Sequence, residues 1–229
     1  MVRTSAELAH TFRSELVDAA LVDLASSGDE HWQAGSLARE FPSAPFFAVL
    51  PLRATDGPAL ARCVSLDFAG VLAEGIDDGA LREMVTPSGF SARFATAMQE
   101  PPAALALATA LQQRTWAALV RLAGRPTRTE SLAADVGVTR EHLSRSFAEA
   151  GAPNLKRVID LVRVLAAAEL SKNPGYDVRD VAEVLDFASS SHLSSTAQRI
   201  VGTKPASLAR LRAVDLVERF TKGHGRSRG

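Results

Sequence analysis

The sequence predicts an α/β N-terminal domain, with a small three-stranded parallel sheet and helices, followed by an all-α C-terminal domain. Short apolar segments alternate with helical segments over the first 100 residues. From Ala103 onward every segment has helical character, and one pattern occurs twice, about 50 residues apart, on either side of a long helix. A chain of 229 residues is long enough for two modest domains that each bury a core.

The three predicted strands are short apolar stretches without a helical stripe: AALVDL (19–24), PFFAVLPL (45–52) and AGVLAEG (69–75). A helix over residues 5–16 precedes the first strand, and Thr4 is placed to cap it. Further helical segments separate the strands. This alternation predicts right-handed βαβ units and therefore a parallel sheet.

The predicted boundary lies near residue 100, where Pro101-Pro102 interrupt the pattern. We assign residues 1–100 to the α/β domain and 101–112 to a linker or to the start of a connecting helix. Residues 113–213 are assigned to the helical domain, and 214–229 to a C-terminal extension with a basic tail.

Opposite charges divide the chain near the same point. The 26 basic and 26 acidic residues give a net charge of zero, which taken alone argues against a nucleic-acid partner. Residues 1–112, however, hold 7 Lys and Arg against 14 Asp and Glu, whereas residues 113–229 hold 19 against 12. The basic second half favours a polyanionic partner.

Several classes of protein are not expected. The single cysteine, Cys63, allows no internal disulfide and no cysteine-based metal site, and His142 and His192 lack partners at metal-site spacing. The first residues lack the apolar region of a secretory signal, and no apolar run approaches the length of a membrane span, so we expect a cytoplasmic protein. Without a catalytic arrangement or a glycine-rich phosphate loop, we expect neither an enzyme nor a cofactor.

The repeated pattern consists of SLAADVGVTREHLSRSF (131–147) and DVAEVLDFASSSHLSSTA (180–197). Each copy has an alanine, a branched apolar residue three positions later, a turn, and an apolar residue on the next helix. This spacing is that of a helix-turn-helix, in which the alanine allows close approach of the helices and the turn residue adopts a left-handed conformation. Gly137 suits that turn, and Asp186 tolerates it at some cost.

Two such motifs joined by a long helix resemble the DNA-binding domain of AraC/XylS-type bacterial transcription regulators. The resemblance rests on LAADVGVTREHLSRSF, on Arg163 and Ala167 of the linking helix, and on VAEVLDF with SSHLS and the final Gly202 and Pro205. It covers residues 112–212 and implies binding to double-stranded DNA.

The first motif carries the residues best suited to reading bases. Thr139 is the expected N-cap of its second helix, and Leu143 and Phe147 are expected to face inward. The outer face then presents Arg140, Glu141, Ser144 and Arg145. Arg145 suits bidentate contact with a guanine, and the resemblance assigns base contacts to positions 141, 144 and 145.

The second motif departs from the family pattern, because Asp186 replaces the turn glycine and Ser195 the usual arginine. Its outer face is expected to carry Ser190, Ser191, His192, Ser194 and Ser195. Short hydroxyls bind phosphates but distinguish bases poorly, so we expect this motif to anchor to the DNA backbone. Arg199, Lys204 and the basic tail TKGHGRSRG can add charge contacts.

The N-terminal half resembles a truncated, degenerate response-regulator receiver over residues 5–87. Asp23 ends the first predicted strand, where the family has its phosphate-accepting aspartate. The usual hydroxyl falls near Leu50-Pro51, the usual lysine is Glu74, and the strand that supplies the Mg²⁺-binding acidic pair has no counterpart. A phosphoryl group would go uncompensated, so phosphorylation of Asp23 is not expected.

The missing strands would leave residues 19–24 as an apolar sheet edge, which tends to pair with another chain. This predicts a homodimer formed through the N-terminal half, or a natural start upstream of Met1.

Together these features predict a sequence-specific transcription regulator whose N-terminal half serves dimerisation or protein contacts. The alternative is an interaction protein that does not bind DNA and contacts another transcription factor or RNA polymerase.

Overall fold

Three short apolar segments form one parallel sheet in the N-terminal half of the computed structural model, which describes residues 3–25, 28–148 and 151–225. The strands are β1 (Ala20–Asp23), β2 (Phe46–Leu50) and β3 (Gly70–Ala73), and they lie in the order β1-β2-β3. Ala20 lies opposite Phe46 in the first pair, and Phe47 lies opposite Gly70 in the second. The predicted three-stranded parallel sheet is confirmed.

Helices alternate with these strands along the chain: α1 (Ser5–Ser14), α2 (Asp29–Ser36), α3 (Gly57–Ser65) and α4 (Asp78–Val85). The Thr4 side chain accepts a hydrogen bond from the Glu7 backbone N–H and caps α1, as predicted. The core is aromatic, because the ring of Phe12 stacks on those of Phe41 and Phe46 at centroid distances of 4.6 and 5.5 Å. This packing fixes α1 against the sheet.

The strand order makes β1 an edge strand, as expected. Ala20 and Val22 are buried, whereas Leu21 is 48% exposed. A groove of about 630 Å³ runs along this edge between α1 and α2. An edge with free backbone groups beside an apolar side chain can pair with a further strand.

A helix that sequence analysis missed, α5 (Phe90–Ala97), precedes the proline pair. Phe90 and Phe94 belong to the same buried cluster as Trp116, although they lie before residue 100. The indole N–H of Trp116 donates to the Met98 carbonyl at 2.7 Å and joins the end of α5 to the helical half. The segment was not predicted because Gly89 offers no side-chain cap and only two apolar residues mark the buried face.

The C-terminal half is all helical, as predicted, and contains α6 (Ala110–Arg121), α7 (Thr129–Asp135), α8 (Arg140–Ser146), α9 (Leu155–Leu170), α10 (Val178–Val184), α11 (Ser190–Val201) and α12 (Ala213–Gly225). The long helix α9 has 16 residues rather than the roughly 20 read from its pattern, and 11 of them are buried. Because α9 is apolar over most of its circumference, it serves as the core against which both motifs pack.

The two halves meet at the turn between α9 and α10. The Gly175 backbone N–H donates to the Glu40 carbonyl at 2.8 Å, and the Ser43 N–H donates to the Asn173 side chain at 2.7 Å. A Cβ on Gly175 would lie 2.6 Å from the ring of Phe41, so only glycine permits this approach. The α/β half is therefore joined directly to the segment that leads into the second motif.

Arg13 of α1 adds charged contacts to this junction. Its guanidinium lies 3.7 Å from the Glu40 carboxylate and 3.9 Å from that of Asp180, and it donates to the Gly175 carbonyl at 3.3 Å. Burial, with the nearby Asp180 carboxylate, raises the pKa of the Tyr176 phenol and keeps it neutral, although Arg13 acts in the opposite direction. One arginine thus bridges α1, the turn and α10.

Over the three described ranges, none of the helices combines the length and the apolar character that crossing a membrane requires.

Candidate nucleic-acid interface

The first helix-turn-helix forms because its turn residue and cap suit their positions. Gly137, between α7 and α8, has φ of 75°, a left-handed conformation that glycine adopts without a Cβ penalty. The Thr139 hydroxyl accepts from the His142 N–H at 3.2 Å and caps α8. Leu143 and Phe147 are fully buried. The predicted cap, turn and inward face of this motif are all present.

The end of α8 is held by a residue that sequence analysis did not single out. Gln112 of α6 is fully buried, and its side-chain N–H donates to the Ser146 carbonyl at 2.7 Å. The same side chain accepts from the Thr109 N–H at 3.0 Å in a capping box. The Thr-x-x-Gln spacing could have indicated the start of α6, but the bond to α8 joins residues 34 positions apart.

Four side chains lie exposed on the outer face of α8, as predicted: Arg140, Glu141, Ser144 and Arg145. Arg140 forms an ion pair with Glu130 of α7 at 3.1 Å. Arg145 forms no ion pair with any residue in the described part of the chain. Its guanidinium has five N–H donors and follows Ser144 on the exposed face of the helix.

The second motif has the same backbone geometry with different side chains. Asp186 adopts the predicted left-handed turn, with φ of 51°, and the Ser189 hydroxyl caps α11 by accepting from the His192 N–H. The Asp177 carboxylate caps α10, and the backbone N–H groups of Asp180 and Arg179 lower its pKa. Both motifs are thus complete helix-turn-helix units.

The outer face of α11 engages much of its polar capacity within the protein. Ser191, His192, Ser195, Arg199 and Lys204 are exposed, whereas Ser190 and Ser194 are half-buried. The Ser194 hydroxyl donates to the Ser190 carbonyl at 2.9 Å, and the Ser195 hydroxyl donates to that of His192 at 3.0 Å. Arg199 forms a 2.9 Å ion pair with the largely buried Asp160 of α9. The hydroxyls of Ser194 and Ser195 can still accept hydrogen bonds, but each must break its bond to the backbone before it can donate to a partner.

Arg163 of α9 holds the turn of the second motif. Its guanidinium donates to the carbonyls of Leu185 at 2.8 Å, Asp186 at 3.1 Å and Gly124 at 3.2 Å. It also lies 3.8 Å from the centroid of the Phe187 ring. Burial lowers the pKa of this guanidinium from its ordinary value, although arginine remains charged. Arg163 therefore ties the second turn to the segment that enters the first motif.

The basic tail was predicted to add contacts, and its last residues, 226–229, lie outside the described residues. Lys222 forms a 3.6 Å ion pair with Glu218 on α12.

Two acidic residues that sequence analysis singled out, Asp23 and Glu74, lie at the carboxyl edge of the sheet. Asp23 ends β1, and its carboxylate accepts from the Ala25 N–H at 2.9 Å. Glu74 stands immediately after β3 and is exposed. In the described part of the chain, no three His, Cys, Asp or Glu side chains cluster as metal ligands. Burial raises the pKa of the Cys63 thiol, which keeps it in the unreactive protonated form.

The tandem helix-turn-helix geometry defines a class of DNA-binding domain, and comparison with known families gives the same class. The family described as a helix-turn-helix domain matches residues 132–210, about a third of the chain. Over these residues the chain is similar to helix-turn-helix domains, which commonly bind DNA through the second helix of the motif. No curated protein and no solved structure matches the chain.

Proposed function

We propose that the chain is a sequence-specific transcription regulator in which the first helix-turn-helix reads bases and the second anchors mainly to phosphates. The N-terminal half serves dimerisation or protein contacts and does not receive phosphate. The observation that carries this proposal is the difference between the outer faces of α8 and α11. Arg145 and Ser144 are exposed and their side chains form no bond with a described residue, whereas Arg199 is paired with Asp160 and two serine hydroxyls donate to their own helix.

The residues of α8 suit the chemistry of base edges in the major groove. An unpaired guanidinium can donate two parallel hydrogen bonds to a guanine, and Ser144 can donate to or accept from any base. Thr139 and Arg140, at the start of α8, and Glu141 can contribute as well. Arg140 must first break its ion pair with Glu130, and this cost reduces the net binding free energy of any contact that Arg140 makes with DNA.

The residues of α11 suit a surface that contacts phosphates. Ser191, Ser195, His192 and Lys204 are exposed on and after this helix. Lysine and short polar side chains bind phosphate oxygens without selecting a base. A shallow cavity lined by Ser191, Ser195 and Lys204 lies along this face. Contact from this face would fix the position of the chain on the duplex.

The mutation Arg145→Ala tests the reading role of the first motif. Because the side chain is exposed and forms no ion pair with the residues that the structure describes, we expect folding to be unchanged and affinity for the specific site to fall by about 1–3 kcal/mol. Fluorescence anisotropy with a site selected from random-sequence duplexes measures this loss, and Arg82→Ala, on exposed α4, is the control. Equal affinity of both variants for the selected site would show that α8 does not read bases.

Salt dependence separates DNA binding from the alternative of an interaction protein. With 6–10 phosphate contacts, we expect the affinity of the full chain for duplex DNA to fall by about 10³–10⁵ between 50 and 200 mM salt. A salt-independent association, or none, would favour a regulator that acts by contacting another transcription factor or RNA polymerase.

The exposed edge of β1 supports the proposed homodimer. Light scattering of the full chain at micromolar concentration is expected to give twice the monomer mass, because edge pairing would extend the sheet and cover Leu21. Leu21→Lys is expected to give a monomer, and Val64→Lys, at an exposed position of α3, serves as the control. A monomer before any substitution would remove the dimer from the proposal and leave the DNA-binding assignment unaffected.

A further inference from the structure

A cleft of about 540 Å³ lies where the two halves of the chain meet, outside both helix-turn-helix motifs. Its apolar wall is formed by Phe90, Phe94 and Met98, and Pro42 and Ser43 of the α/β half close one side. Asn173, in the turn before α10, closes another. This volume is within the range of small-molecule sites, and an apolar wall with a few polar groups is the usual composition of such sites.

Arg93 is an exposed cation at this cleft, and two backbone carbonyls hold its orientation. Arg93 projects from α5, and its Nη2 donates to the backbone carbonyls of Pro42 and Ser43. These acceptors are neutral, and Arg93 forms no ion pair with any residue for which the structure gives a position. The charge of this guanidinium is therefore uncompensated while its orientation is held, and its Nε and Nη1 donors make no bond within the described chain.

The other charged groups at the cleft neutralise one another. Lys172 lies 2.6 Å from the Glu169 carboxylate, and Arg212 forms two hydrogen bonds with Asp215. Among the described residues that line the cleft, these pairs leave one net positive charge, that of Arg93, beside the apolar wall. The complement of such a surface is a single negative charge on an apolar body.

We propose that this cleft binds a small organic monoanion, a carboxylate with an apolar body, whose head group pairs with Arg93. Two N–H donors of a guanidinium match the two oxygens of a carboxylate, and the resulting bonds are charge-assisted. The apolar body lies against Phe90, Phe94 and Met98. The cleft lies outside both helix-turn-helix motifs, so ligand binding there does not depend on the proposed DNA binding.

The chain carries its own reporter for this site. Trp116 is fully buried and donates its indole N–H to the carbonyl of Met98, a residue of the cleft wall. The other tryptophan, Trp32, lies on α2 in contact with Arg62. In a Trp32→Phe protein, emission therefore comes from Trp116 alone and reports displacement of Met98.

The test titrates the full chain with octanoate, 1-octanol and octylammonium, each below its micelle concentration. We expect saturable heat in calorimetry with octanoate and a shift of Trp116 emission with the same midpoint. Octanol should bind at least about tenfold more weakly, because an uncharged head group forfeits the charge-assisted bonds, and octylammonium should not bind. Absence of saturable heat with octanoate, or equal binding of octanol, overturns the proposal.

Two variants test whether octanoate binds in this cleft. Arg93→Met keeps the apolar stem and removes the charge, and it should weaken octanoate binding at least about tenfold while Arg82→Met does not. Ala97→Phe fills the cleft without a change of charge and should abolish binding to a protein whose far-ultraviolet spectrum is unchanged. Full octanoate affinity in either cleft variant places the ligand elsewhere and contradicts the proposal.

Discussion

Replacing Gly124 by alanine is expected to lower the free energy of unfolding by about 2–5 kcal/mol. Gly124 follows α6 with φ of 87°, and a Cβ built there would lie 2.4 Å from the Cβ of Ala166. Ala166 is fully buried on α9, so it cannot move without displacing the helix that both motifs share. The substitution combines backbone strain with a steric clash. Urea unfolding followed by circular dichroism measures the total loss in the free energy of unfolding.

The matched control is Gly137→Ala, in the turn of the first motif. Gly137 has a similar φ of 75°, but no atom lies within 4 Å of the position its Cβ would take. This variant should show only the cost of the left-handed conformation, about 1–2 kcal/mol. If the two alanine variants lose the same stability, the close approach of Gly124 to α9 contributes nothing and the expectation is wrong.

Removing Arg163 is expected to have the second large effect. Arg163→Ala would leave the carbonyls of Gly124, Leu185 and Asp186 without this donor and take the cation from the Phe187 ring. Each charge-assisted hydrogen bond contributes about 1.5–3 kcal/mol, and shared bonds do not add fully, so we expect a net loss of about 2–4 kcal/mol. Thermal unfolding of the full chain measures it.

A nearby arginine on the same helix provides the comparison. Arg157 of α9 lies 5.0 Å from the ring of Phe220, and its Nε makes no hydrogen bond in the described structure. Arg157→Ala should therefore cost less than about 1–2 kcal/mol, the range of a cation–π contact with some lost packing. Arg163→Lys should remain destabilised, since a single ammonium cannot reach three carbonyls as a planar fork does. A small effect of Arg163→Ala would indicate that the turn around Asp186 is stable without the clamp.

Features that depend on neighbouring residues were predictable from the sequence. Thr4 and Thr139 cap their helices because a hydroxyl before a helix accepts from an N–H two or three residues later. Gly137 and Asp186 occupy left-handed turns because few residue types tolerate that conformation. The runs that form β1, β2 and β3 are short, apolar and bounded by turn residues, which is the local pattern of a strand.

Features that join distant residues were not predictable. The bond from Gln112 to Ser146 spans 34 positions, and that from Ser43 to Asn173 spans 130. Neither polar side chain carries a local signal of its partner, because glutamine and asparagine are ordinary surface residues in sequence. The helix α5 was missed for a related reason, since its two phenylalanines gain their burial from Trp116 and the helical core.

The same distinction applies to the candidate interface. Helical spacing alone indicated which side chains of α8 and α11 face outward, but it treated all of them as equally available. The structure distinguishes them: Arg140 is held by Glu130 and Arg199 by Asp160, whereas Arg145 forms no ion pair with any residue whose position is described. The availability of a charge depends on what lies within about 4 Å of it, and those neighbours come from other helices.

The sequence by itself determined the strands, the two motifs, their caps and their turns, because periodicity and backbone conformation are properties of adjacent residues. Only the tertiary structure decided that the α/β half joins the turn before α10, that Arg163 clamps the second motif, and that a cleft lined by Arg93 lies between the halves. Each of these depends on close approach of segments far apart in the chain. The packing of the whole core selects such contacts, and no local pattern encodes them.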